Sequence, residues 1–224
     1  MKSAVFSKEK GLKLLSGLLS IFVFSWCGSL YAGAMEEVVA VQAEWAHANY
    51  ELKDKQQEKA FADLIDKVEA LTHQYPNDAA VWVWSGIVKS TYAGVKGGLG
   101  ALGLAKQSRS DLEKAIAING DVLEGSAYTS LATLYAQVPA WPIGFGSDKK
   151  AEALFDKALA LNPDGIDSNY FYAEYMFDKG NYTEAQRHYL KAQQAPARPG
   201  RTVADTGRQG EILAGLAKTD KKLH

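Results

Sequence analysis

Within 224 residues the chain balances 25 Lys and Arg against 26 Asp and Glu, a formal net charge of −1, and 47% of its residues are hydrophobic. That length suffices for one domain with a sizeable core. The charge balance argues against a nucleic-acid binder, which is expected to be basic, and the single cysteine, Cys27, excludes a disulfide framework.

The N-terminus reads as a targeting segment. Lys2, Lys8, Lys10 and Lys13 precede an apolar stretch from Leu14 to Phe24, and Ala32-Gly33-Ala34 then places small residues where a signal peptidase reads them. We take residues 1–34 as an export signal cleaved after Ala34, which places the mature protein in the periplasm of a Gram-negative bacterium. A retained anchor is the competing reading, but a spanning helix needs roughly 20 apolar residues and this stretch is shorter. Trp26 precedes Cys27 where a lipoprotein signal requires a small residue, so acylation is not expected. The mature chain then has no cysteine and is stabilised by burial alone. Losing four lysines and Glu9 takes its net charge from −1 to about −4.

Residues 35–224 carry a helical pattern almost throughout, divided into units of about 36–77, 78–121, 122–164 and 165–197 and a closing helix over 203–219. In the first unit Trp45 opens the pattern, Leu64, Val68 and Leu71 stand at packing spacing, and Pro76 closes it. The second has Trp82 and Gly86 on its first helix and Leu112, Ala115 and Gly120 on and after its second. The third runs Tyr128, Leu131, Ala132 and Tyr135, then Ala151, Phe155, Ala158 and Pro163. In the fourth, Tyr172-Ala173 precede a Gly180-Asn181 turn, and Ala185, Tyr189 and Ala192 lead to Pro196. Ala151, Phe155 and Ala158 recur as Ala185, Tyr189 and Ala192, each 34 positions later. Small residues on either side of an aromatic along one helical stripe let a neighbouring helix approach while the ring fills the gap. A period of this length predicts a solenoid of helical hairpins, an all-α fold whose usual work is holding another molecule.

Two units carry insertions between their helices, where specificity is expected. Thr91 to Gly103 is glycine-rich, but no Gly-Lys-Ser/Thr follows and no strand precedes it, so it is not a phosphate loop. It is either a flexible bend or a ligand-contacting lip. Gln137 to Ser147 combines two prolines and two glycines with Trp141, Ile143 and Phe145. Such a loop either plugs a gap in its own protein or anchors another. Stacking should set the two insertions side by side, as a lid over one end of the groove.

Helical geometry sketches that groove. Tyr170, Glu174, Phe177 and Asp178 share a side of the fourth unit's first helix, with Thr129, Thr133 and Gln137 equivalent one unit earlier and Val83, Ile87 and Ser90 before them. The acidic end, Glu174 and Asp178, should repel a peptide's terminal carboxylate; a peptide along the groove, or a small partly apolar ligand, fits better. The closing helix is expected to cover the last hydrophobic face. Arg198, Arg201 and Arg208 either bind a carboxylate or satisfy helix carbonyls.

Catalytic signals are lacking. His47, His73, His188 and His224 lie far apart with no metal spacing, no serine has a nucleophile-elbow context, and the mature chain has no thiol. His188, beside the packing residue Tyr189, is expected at a surface or interface. No cofactor or metal is expected, nor stable membrane insertion after signal cleavage.

An aromatic, then Gly or Ala four residues on, then the Ala-aromatic-Ala stripe and a closing Pro, resembles the tetratricopeptide repeat over about 150 residues of this chain. The resemblance implies about four antiparallel helix pairs stacked into a right-handed superhelix, its concave groove lined by the first helix of each pair. The run from Gly125 to Ile212, with its Val138-to-Gly146 loop, Ala158-to-Gly165 segment, Arg198-Pro199-Gly200-Arg201 and Ala204-Asp205, is similar to exported T-component proteins associated with TRAP transporters. That likeness implies a periplasmic protein, in some members an oligomer with a ligand-accessible pore. The resulting expectation is a non-catalytic binding or scaffold protein that holds a peptide or protein partner. The alternative is a transport accessory that binds a small organic ligand as a homo-oligomer. Its contact residues would be Trp141, Phe145, Thr129, Thr133, Gln137, Tyr170, Glu174, Phe177, Asp178, Arg198 and Arg201. Replacing Trp141 by Ala is expected to weaken partner binding with helix content unchanged by circular dichroism; loss of helix would show instead that the loop fills the core.

Overall fold

The computed structural model describes residues 19–224. Lys2, Lys8, Lys10, Lys13 and the first residues of the apolar stretch lie outside the described residues. Nine α-helices and no β-strand occur among those described: α1 Leu19–Tyr50, α2 Asp54–Gln74, α3 Ala79–Lys96, α4 Gly98–Asn119, α5 Ser126–Gln137, α6 Asp148–Leu161, α7 Ile166–Asp178, α8 Tyr182–Gln193 and α9 Thr202–Leu223. Each odd helix from α1 to α7 pairs with the even helix after it, and α1, α3, α5 and α7 also pack on one another in order. The protein is therefore an all-α solenoid of four hairpins in which the first helices form one continuous wall.

Local chemistry starts and stops these helices. Asp78 caps α3, its carboxylate accepting from the backbone N–H of Ala80 at 2.9 Å and Val81 at 3.2 Å, and the Asn181 side chain accepts from Glu184 N–H at 3.3 Å to start α8. The stripe of small and aromatic residues is what the layers bury. Ala151, Phe155 and Ala158, like Ala185, Tyr189 and Ala192, are all at most 1% exposed. On α2 the equivalent face is Phe61, Leu64, Val68 and Leu71. Where two helices come closest a side chain is excluded outright. A Cβ on Gly86 of α3 would lie 2.5 Å from Leu112 Cγ of α4.

The first insertion is not a loop. Gly97 and Gly98 adopt φ of 59° and 60°, which reverses the chain within two residues, and Thr91 to Lys96 continue α3 while Leu99 to Gly103 open α4. The insertion thus lengthens this hairpin to helices of 18 and 22 residues, against 12 to 14 in the two pairs that follow. Ala93 and Ala105, both buried, give the added turns a packed face that offsets the cost of glycine in a helix. A buried polar brace joins the same pair. Lys89 Nζ lies 2.7 Å from Asp111 Oδ2, the Ser85 hydroxyl donates to that same oxygen at 2.7 Å, and the Ser108 hydroxyl donates to the Gly86 carbonyl at 2.6 Å.

His188 also departs from expectation, being 4% exposed between α8 and α7. Its Nδ1 is 2.8 Å from Asn169 Oδ1 and its ring meets Tyr172 edge-on at 4.6 Å. Small residues at Ala185 and Ala192 bring the helices close enough that its neighbouring position is covered as well. Burial, reinforced by the Arg187 charge, lowers its pKa and keeps it neutral.

Two glycine substitutions should separate close packing from chain entropy. Gly86→Ala forces the added methyl into Leu112 and is expected to destabilise by about 1–3 kcal/mol. Gly210→Ala on α9, where a Cβ meets nothing within 4 Å, is expected to stabilise by about 0.5–1 kcal/mol. Urea unfolding of the two variants beside the parent protein measures both.

Candidate functional site

The concave wall does not stay open, because the C-terminal segment crosses it. Pro196 and Pro199 end the helical run, Gly200 turns with φ of 73°, and α9 begins at Thr202. The second half of α9 covers the last hairpin as expected: Ile212 is buried, and a Cβ on Gly215 would stand 2.5 Å from the Tyr189 ring. Its first half reaches the opposite end of the solenoid. Gly207 lies so close to Tyr50, the last residue of α1, that a Cβ would be 2.3 Å from the ring, and Ala204 joins the core built by α1, α2 and α3. The Tyr50 hydroxyl donates to Glu211 at 3.3 Å. So α9 is more than a terminal cover: it bridges the fourth layer to the first.

Asp167, in the first turn of α7, holds this bridge. One of its oxygens meets Arg198 Nη1 at 2.6 Å and the other Arg208 Nε at 2.8 Å. Arg198 also pairs with Asp205, whose second oxygen accepts from the Arg198 backbone N–H at 2.8 Å, so the turn is tied to the helix it precedes. Arg208 pairs with Glu211 and lies over the rings of Tyr170 and Phe171 at 4.3 and 4.6 Å. Burial pushes the Asp167 carboxyl up, but the Arg208 and Arg198 guanidiniums override it and hold the pKa at about 2. Burial raises the Tyr50 hydroxyl to about 12, so it stays a donor. For Arg208 burial favours the neutral form, and Asp167 more than compensates.

The bridge partly covers a chamber of about 830 Å³ that stays open to solvent on one side. Its walls come from α1 (Trp45, Asn49), α3 (Trp84, Ile87, Ser90), α5 (Thr129, Thr133, Gln137) and α7 (Tyr170, Phe171), and Pro196 to Pro199 and Arg201 with Arg208 and Glu211 partly cover it. Several wall groups are already engaged. Trp45 Nε1 donates to Thr91 at 3.0 Å and the Thr133 hydroxyl to the Thr129 carbonyl at 2.9 Å. Arg201 behaves differently from its two neighbours. Its guanidinium lies 5.1 Å over the Trp84 ring, and neither Arg201 Nε nor Trp84 Nε1, both buried, has a hydrogen-bond partner. Burial and then the nearby Arg198 charge lower its pKa.

Of the sequence-derived contact residues, Thr129, Thr133, Gln137, Tyr170, Arg198 and Arg201 all line this chamber, as do Ile87 and Ser90. Val83 faces the core instead. Glu174 and Asp178 border a separate small cleft with Thr133 and Gln137. There Glu174 accepts from the buried Tyr189 hydroxyl and pairs with Lys218 of α9 at 2.8 Å, so one of the two carboxylates expected to repel a peptide's terminal carboxylate is balanced from within the protein. Phe177 packs against Tyr182 at 5.2 Å beneath Lys218.

Trp141 and Phe145 line neither cavity, and the expected lid over the groove is not formed. The Val138-to-Ser147 loop folds back along the α4 and α5 edge: Phe145 meets Tyr135 edge-on at 5.5 Å and Arg109 covers it at 4.6 Å. Gly146 sits so tightly on the Val138 carbonyl that a Cβ would approach to 1.9 Å, which pins the loop's return. Its tip points outward, with Trp141 86% and Ile143 69% exposed. The same loop thus plugs with Phe145 and displays Trp141. Sequence reasoning missed Trp45, Trp84, Asp167 and Glu211 as chamber residues. Trp45 enters the repeat pattern only as the residue that opens the first unit, Trp84 has no place in it, and no local pattern places α9 beside α1.

No family model matches the chain, and no curated protein is similar to it. Among solved structures it is similar to TTC0263, a thermophilic tetratricopeptide-repeat protein of Thermus thermophilus, at 19% identity over 70% of this chain and 78% of that one, with a TM-score of 0.51. Two structures of MamA align at 17% and 16% identity, over 76% and 84% of this chain and 95% and 92% of theirs, with TM-scores of 0.44 and 0.42. The first likeness shows the tetratricopeptide-like fold.

The Asp167 clamp makes a prediction for acid stability. A carboxylate lowered from 3.8 to about 2 contributes stability that is fully present above pH 4 and lost as pH falls toward 2. Asp167→Asn should lower the melting temperature at pH 7 and flatten its fall between pH 4 and 2; thermal unfolding followed by circular dichroism across that range compares the two slopes.

Proposed function

We propose that the chain is an exported, non-catalytic binding protein that holds its ligand, a small organic molecule or the end of a peptide, in the chamber that α9 and the turn before it partly cover. The observation that carries this reading is the bridge itself. A groove open along its whole length accommodates a long extended peptide, whereas a cavity of about 830 Å³ that the returning segment partly covers suits a compact ligand. Its mixed lining, hydroxyls on α5 and aromatic rings on α1, α3 and α7, supports recognition of a partly apolar body carrying polar groups.

The similarity to T-component proteins adds a narrower version, an accessory of solute uptake acting as a periplasmic oligomer, and the partial cover over the groove favours it over a scaffold for extended peptides. Trp141 and Ile143 then serve a second role as an apolar anchor for a protein partner, supported by their exposure on a loop fixed at its base. Export rests on the N-terminal residues. Among the described residues no helix is long and apolar enough to cross a membrane. Ala34, at 1% exposure, is part of the first core, and cleavage after it leaves Val38, Val41 and Trp45 to hold α1 in place.

Native mass spectrometry of protein recovered from the periplasm tests the reading. The expected spectrum is a chain starting at Met35 with a non-covalent small mass, in a defined oligomer if the transport version holds. A bare monomer that retains a protein partner in a pull-down would favour the scaffold version, and a chain that still begins at Met1 and stays in the cytoplasm would sink export.

A further inference from the structure

We propose that the chamber takes a neutral, polyhydroxylated ligand, a sugar or a short sugar chain, read along one face of α5 by Thr129, Ser130, Thr133 and Gln137. The proposal rests on the chamber being the binding site and adds the chemistry that the site selects.

The charged groups beside the chamber leave no net charge for a ligand to meet. Asp167 is shared by Arg198 and Arg208, Asp205 is taken by Arg198 and Glu211 by Arg208, so three carboxylates offset Arg198, Arg201 and Arg208. At the rim Lys191 lies 3.5 Å from Asp164. Glu124 is exposed there and accepts from Asn162 at 2.8 Å, and surrounding water screens its charge. A carboxylate or an ammonium entering this space gives up hydration and gains no counter-charge in return, a cost that an uncharged ligand does not meet.

The hydrogen-bonding groups then select among neutral molecules. No residue of α5 is charged, and Thr129, Thr133 and Gln137 line the chamber from it at four-residue spacing, with Ser130 beside them. Ser90 of α3 and Asn49 of α1 line the same space. The Thr133 and Ser90 hydroxyls donate at 2.9 Å to the Thr129 and Ile87 carbonyls of their own helices, so each offers only acceptor lone pairs outward. Thr129 is 5% exposed, yet its hydroxyl has no partner among the described residues and, unlike Trp84 Nε1 and Arg201 Nε, is not sealed from solvent. The Ser130 hydroxyl and the Gln137 and Asn49 amides are also without partners among those residues, and each both donates and accepts. The wall thus offers more acceptors than donors. Ethers, esters and ketones leave those lone pairs unmet because they only accept, whereas a hydroxyl donates and accepts through one atom and neighbouring hydroxyls match both ends of a carboxamide. From Thr129 to Gln137 the stripe runs about 12 Å along the helix, room for more than one sugar ring. Trp45 and Ile87 give the same chamber an apolar side for the C–H faces of such rings. A peptide end brings a charge that the balanced chamber does not reward.

The test follows the Thr129 and Thr133 methyl signals and the Gln137 side-chain amide of the isotope-labelled protein by nuclear magnetic resonance. Glucose, maltotriose, cellotriose and chitotriose are titrated in separately, each also as its alditol, its aldonate and its 1-amino alditol, which differ in the charge of one end group. Triethylene glycol dimethyl ether serves as the probe that only accepts. Saturable movement with at least one neutral sugar is the expected result, with its alditol held about tenfold or more tighter than the aldonate and the amine. Thr129→Val, which keeps the shape of the side chain, and Gln137→Leu should each weaken that sugar by about two- to tenfold. An aldonate or amine held as tightly as the alditol overturns the selection of neutral ligands, and movement with the ether equal to that with the sugars overturns the demand for donors; both leave the chamber a binding site. Silence with every sugar overturns the proposal, and a bare native mass beside that silence removes the chamber reading as well. Should Thr129→Val fail to fold, Gln137→Leu at its exposed position and the charge series on the parent protein still decide.

Discussion

A single carboxylate, Asp167, divides its two oxygens between guanidiniums that reach it from either side of a tight turn. Arg198 precedes Pro199-Gly200 and Arg208 follows by two turns of helix, so fixing both to α7 leaves the intervening chain one path. That path carries the turn over the concave wall and aims α9 at α1. The chamber, its roof and the placement of Arg201 all follow from it. Such a network is asymmetric in its energetics: the intact set need contribute little net stability, yet losing one member strands the others in a poorly hydrated place.

The last layer shows how α9 is written into the repeat. Phe155 of α6 and Tyr189 of α8 occupy equivalent positions and are both fully buried. The added hydroxyl of Tyr189 is tolerated because Glu174 accepts it, and Glu174 in turn is balanced by Lys218 from α9. Gly215 meets the same ring on its outer side. One position in the repeat thus records whether its layer is covered by another hairpin or by the returning helix.

The solenoid was readable because its information is local. Ala151, Phe155 and Ala158 and their counterparts one period later specify both the helix and the face it buries, and Gly180-Asn181 specifies the reversal between them. The chamber was half readable for the same reason. Thr129, Thr133 and Tyr170 follow from helical phase alone, and the three arginines stood out because they follow a break in composition. What escaped depends on contacts far apart in the chain. Nothing near Trp84 shows that Arg201 will lie over it, and nothing near Tyr50 shows that Gly207 will press against it. The glycine-rich segment after Thr91 was misread for a different reason: two left-handed residues suffice for a reversal, and the remaining glycines are carried by long helices on either side.

Arrays of stacked repeats ordinarily behave as one-dimensional systems, in which each unit feels only its neighbours and the two ends fray first. By touching both the first hairpin and the last, α9 removes that freedom and makes the array circular in its energetics. Its release would expose the Tyr189 face at one end and the Tyr50 face at the other in one event, so the termini share a common opening reaction. Amides of α1 and α9 then exchange with solvent in step, although about 150 residues separate the two helices along the chain.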